Sequence, residues 1–106
     1  MTQFDDRKRA QEKKYELDQE AEFRAQARRA RLTGLWAAEL MGMSGAPADA
    51  YARSVILSDL EEAGAEDLFR KVKADLVAKG VAPSDHMIRA RMEEFLIEAR
   101  KQVAAG

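Results

Sequence analysis

Residues 21–43 read AEFRAQARRARLTGLWAAELMGM, and this stretch decides the fold. Phe23, Ala27, Ala30 and Gly34 recur at helical spacing, and Leu32, Leu35, Trp36, Leu40 and Met43 widen the apolar stripe. A stripe with a 3.6-residue period belongs to a helix with one face against a core. Gly42, Ser44, Gly45 and Pro47 follow at once. Glycine accepts the left-handed conformation that closes a helix and proline breaks one, so the segment stops there.

Three more segments repeat the pattern toward the C-terminus. Pro47 suits the first position of a second helix, where its missing N–H costs nothing, and Asp49 is expected in the first turn. Tyr51, Ala52, Val55, Ile56, Leu60 and Ala63 would form its face, with Gly64 as the stop. A third helix would open on Glu66 and Asp67, bury Leu68, Phe69, Val72, Leu76 and Val77, and end at Lys79 and Gly80. Ser84 would cap a fourth, whose stripe is Met87, Ile88, Met92, Phe95, Leu96, Ala99 and Val103. The expected helices are about 21–43, 47–63, 66–79 and 85–104. With short connections they predict an all-α, four-helix bundle-like domain over residues 21–106.

Residues 1–20, MTQFDDRKRAQEKKYELDQE, are different. Beyond Met1, only Phe4, Tyr15 and Leu17 are large and apolar. A helix that is polar nearly all round cannot bury a face in its own domain. A mobile, marginally helical arm is expected, either an idle tail or a segment that folds against a partner.

Composition narrows the function. The chain has 106 residues, 35% of them charged, and eighteen Lys and Arg against nineteen Asp and Glu give a net charge of −1. That balance argues against a general nucleic-acid binder. The rival reading uses Arg24, Arg28, Arg29 and Arg31 as a nucleic-acid-binding or adaptor surface, but no aromatic is interleaved there to stack bases. There is no cysteine, hence no disulfide and no thiolate chemistry. His86 alone cannot supply a zinc ligand set. The acidic run Asp59, Glu61, Glu62, Glu66 and Asp67 lacks the spacing of a calcium loop and reads as solvated helix ends. Gly42-Met43-Ser44-Gly45 lacks the lysine and preceding strand of a phosphate loop. No catalytic residue, metal ligand or cofactor site is expected. The charge-packed N-terminus holds no secretory signal, and the longest apolar uncharged run, Leu35–Ala38, is far too short to span a bilayer.

Several short motifs occur in order: Phe4-Asp5-Asp6-Arg7, Ala27-Arg28-Arg29, Gly34-Leu35-Trp36-Ala37-Ala38 and Ala48-Asp49-Ala50-Tyr51-Ala52. Glu61-Glu62-Ala63-Gly64, Glu66-Asp67, Phe69-Arg70-Lys71 and Ile88-Arg89-Ala90-Arg91-Met92 follow. Together they resemble the zeta-type ATPase inhibitor subunit of alphaproteobacterial F-type ATP synthases, over essentially the whole chain. The resemblance implies a non-enzymatic inhibitor of ATP hydrolysis, with a mobile N-terminal segment that wedges a catalytic interface between the alpha and beta subunits near the gamma rotor. It also implies a cytoplasmic protein peripheral to the inner membrane, bound to the catalytic head and monomeric when free. Carried over residue by residue, it puts partner contacts on Phe4, Asp5, Asp6, Arg7, Arg9, Lys14 and Tyr15. Lys8 departs from the family, where an acid is common, and so does Gln11, where an aromatic or histidine is common.

Overall fold

The computed structural model describes the backbone of residues 3–61 and 64–106, and side chains from Asp18 onward within them. Four helices follow one another: α1 (Gln3–Leu40), α2 (Gly45–Glu61), α3 (Ala65–Ala78) and α4 (Asp85–Ala105). Among the described residues there is no strand, and no helix is long and apolar enough to cross a membrane.

Glycines set two of the ends. Gly42 has φ +79°, and around it Met43 N–H donates to Ala38 O at 2.8 Å and Gly42 N–H to Glu39 O at 3.0 Å. This pair of backward bonds closes α1 at Leu40, three residues before the expected end. It also points those amides at the helix's own carbonyls, so the loop cannot cradle a phosphate. Gly80 closes α3 in the same way, with φ +76°, Gly80 N–H on Val77 O at 2.9 Å and Val81 N–H on Leu76 O at 2.9 Å. Ser84 caps α4, its hydroxyl accepting from Met87 N–H at 3.1 Å. Pro47 lies two residues inside α2, in the first turn, where an N–H has no partner to lose. Asp49 sits beyond that turn, so it is not the dipole-matched acid expected there.

Neighbouring helices run antiparallel. Gly34 of α1 meets Ala52 and Val55 of α2, whereas Arg29, earlier in α1, is coupled to Asp59, later in α2. Glu22, midway along α1 and ahead of the residues that meet α2, pairs with Arg100 near the end of α4. Glu66 early in α3 pairs with Arg89, and Lys73 later in α3 with Asp85 earlier in α4. Tyr51 of α2 donates to Asp75 Oδ2 of α3 at 2.8 Å. Low-dielectric burial and this bond push the Tyr51 phenol far above its ordinary pKa.

The core is built from α3 and α4 apolar side chains against a small-residue surface on α1 and α2. Val55, Leu68, Phe69, Val72, Leu76, Ile88 and Met92 pack with Ala30 and Ala37, and Trp36, Met41, Tyr51, Ile56 and Val81 border them. The inner stripe of α1 is Ala25, Arg29, Ala30, Thr33, Gly34, Ala37 and Ala38. Small residues there let α1 and α2 approach closely: a Cβ on Gly34 would lie 2.9 Å from Ala52 Cα. Several expected core residues stay outside. Phe23, Leu60, Val77 and Met87 are each at least half exposed. Ala63 lies outside the described residues.

Candidate partner-binding arm and its base

The seven candidate contacts Phe4, Asp5, Asp6, Arg7, Arg9, Lys14 and Tyr15 fall on α1, which continues without interruption into the bundle. Their side chains lie outside the described residues. The base from which they project is described in full.

Asp18, Ala21, Glu22 and Ala25 of α1 face Arg100, Val103 and Ala104 of α4 across a shallow cleft of about 240 Å³. Glu22 accepts two hydrogen bonds from Arg100, from Nη2 at 2.7 Å and Nε at 3.2 Å. The Arg100 guanidinium holds the Glu22 carboxyl below its usual range, and Glu22 in turn raises the Arg100 pKa. One turn and a half further on, Arg28 Nη1 donates to Gln102 Oε1 at 3.2 Å. Ala25 and Ala99 are fully buried. Arg24 is occupied within its own helix, 2.7 Å from Glu20.

Arg29 and Asp59 correct two expectations. Both were expected in solvated runs, yet each is only 6% exposed. Arg29 falls on the stripe Ala25, Arg29, Thr33, Ala37, and Asp59 on the stripe Ala48, Ala52, Val55, Asp59, so helical geometry carries them inward. Burial pushes the Asp59 carboxyl up, opposed by the Arg29 charge and by a bond from the Gly64 backbone. Burial lowers the Arg29 pKa, opposed by Asp59 and Glu22. Arg29 Nε and Asp59 Oδ1 have no hydrogen-bond partner among the described residues. The i, i+4 spacing in the sequence was the signal that could have found this pair.

Further polar contacts join α3 to α4 or lie within α3. Arg89 forms a two-pronged bond to Glu66, at 3.1 and 3.3 Å, while its guanidinium lies 3.8 Å from the Phe69 ring centroid. Lys71 sits 3.0 Å from Asp75 and Lys73 2.8 Å from Asp85. Among the described residues, no group of three His, Cys, Asp or Glu is arranged to hold a metal ion. His86 stands exposed at the start of α4. The described residues thus form a long helix that extends from a braced base.

The family model for the ATPase inhibitor subunit zeta matches residues 1–102. The chain belongs to that family. The match takes in the arm as well as the bundle. An inhibitor-subunit family is not in itself a family of enzymes. A solved chain described as a solution NMR structure is similar to this family member: 44% identity, a TM-score of 0.67, and coverage of 78% of this chain and 94% of that one. None of the curated proteins matches.

Proposed function

We propose that this chain inhibits ATP hydrolysis by the catalytic head of an F-type ATP synthase. Residues 1–20 act as the inhibitory arm and residues 21–106 as the bundle that stays outside. The arm enters a catalytic interface between an alpha and a beta subunit near the gamma rotor, and blocks the closure that hydrolysis requires. Phe4 and Tyr15 are the apolar anchors, and Asp5, Asp6, Arg7, Arg9 and Lys14 pair with charges lining the cleft. The protein is then cytoplasmic and peripheral to the membrane through the synthase, and monomeric when free.

The observation that carries this reading is the family match from residue 1, which includes the charge-rich segment ahead of the bundle. Helix geometry supports it. At a rise of about 1.5 Å per residue, the part of α1 before Asp18 reaches about 22 Å beyond the braced base. A helix of that length suits a deep inter-subunit groove.

A photoreactive residue in place of Tyr15 tests the location. Crosslinks to the alpha or beta subunit are expected. Crosslinks confined to stalk or membrane subunits would refute the proposed interface.

A further inference from the structure

The last two turns of α4 touch α1 where the arm leaves the bundle. Arg100 grips Glu22 in a two-pronged bond at 2.7 and 3.2 Å. Gln102 takes Arg28 at 3.2 Å, and Ala25 and Ala99 are buried in the same region. Val103 and Ala104 line a shallow cleft together with Ala21. Glu22, Arg28, Arg100, Gln102, Val103 and Ala104 lie outside the main apolar cluster around Val55, Val72, Leu76 and Ile88.

Two physical consequences follow from bracing a helix at this point. Starting a helix is unfavourable by about a thousandfold, whereas extending one is nearly free. Residues ahead of a turn already held helical therefore extend it without a nucleus of their own. A braced base also fixes the direction in which the segment projects, which removes part of the ordering cost of binding.

Resting on the function proposed above, we infer that the C-terminal turns of α4 are a positioning clamp. Through Arg100 on Glu22 and Gln102 on Arg28, they seed and aim the inhibitory arm. Inhibitory strength is then set partly by residues that touch no partner. Arg100 and Gln102 are positioning residues that act through α1.

The test uses the full chain with Arg100→Ala, Glu22→Ala, the double substitution of both, and Arg100→Ala with Gln102→Ala. Three quantities are read: backbone chemical shifts of residues 3–17 in the free protein, the concentration giving half-inhibition of ATP hydrolysis, and the melting temperature. The pair is exposed, so each single variant should raise the half-inhibition concentration about twofold to fivefold. Arg100→Ala with Gln102→Ala should raise it about threefold to tenfold. Helical shifts in residues 3–17 should weaken in parallel, while the melting temperature changes by a few degrees at most. The Glu22→Ala, Arg100→Ala double should be no worse than either single, because one interaction is lost once. Unchanged arm shifts, or unchanged potency, would overturn the clamp. Additive losses from Glu22→Ala and Arg100→Ala would overturn it too, since they would mean that each residue contacts the enzyme separately. If the unaltered chain fails to inhibit at all, the proposed function falls, and the arm shifts alone decide whether the clamp exists.

Discussion

Gly34→Ala places a methyl group where α1 and α2 come closest. The new Cβ would lie 2.9 Å from Ala52 Cα and 3.3 Å from both Cβ and Cγ2 of Val55. Ordinary carbon contacts are about 3.5–4.0 Å. The closest neighbour is backbone, which cannot rotate away, so the helices must separate by about half an ångström. Overpacking of this kind costs about 1–3 kcal/mol, and a backbone clash belongs at the upper end. Against it stands the helix preference of alanine over glycine, about 1 kcal/mol. The net expectation is a loss of about 1–2 kcal/mol. For a domain of this size that lowers the melting temperature by roughly 4–10 °C. Thermal unfolding followed by circular dichroism at the helix band reads it directly. The two effects have opposite signs. A melting temperature that rises by about 4 °C would mean that propensity wins and that the close approach of α1 to α2 is not real.

Three further outcomes follow from the bundle and arm. Asp59 has a raised carboxyl pKa in the fold, so its contribution to stability is full below the ordinary carboxylate range and is lost as pH rises through the raised value. Relative to Asp59→Asn, the unaltered protein should therefore lose stability as pH goes from about 4 to about 7; parallel melting profiles over that window would refute the burial. Tyr51→Phe removes the bond to Asp75 and should cost about 1 kcal/mol in chemical denaturation, with Lys71 still beside the carboxylate. Phe4→Ala with Tyr15→Ala should weaken inhibition while leaving the melting temperature unchanged; a large loss of stability would place these aromatics inside the bundle instead.

The four helices were legible because each carries its own period and its own punctuation. Gly42, Gly80 and Ser84 terminate or cap as their chemistry requires. What the sequence concealed was which side of each apolar stripe would be covered. Phe23 and Leu60 are apolar but stand clear of the neighbouring helices, whereas Ala25, Thr33, Gly34 and Ala38 are small enough to let two backbones meet. A reading weighted by hydrophobicity favours the large residues, and close helix packing favours the small ones. Arg29 and Asp59 were passed over for the same reason, because their charge outweighed their position on the inner face. For the candidate site, the low apolar content of residues 1–20 singled out the arm. The brace beneath it was invisible, since Glu22 and Arg100 are far apart in sequence and are ordinary surface residues until the fold brings them together.

The central claim is that the segment ahead of the bundle blocks ATP hydrolysis. The most direct measurement is the hydrolysis rate of purified F-type ATP synthase from the same source, with increasing amounts of either the full chain or a chain beginning at Asp18. The shorter chain keeps every described side chain that braces the bundle. The account predicts that the full chain suppresses hydrolysis, and that the shorter one melts like it and leaves hydrolysis unchanged. Equal inhibition by both chains would contradict it, because the bundle would then carry the activity assigned to the arm.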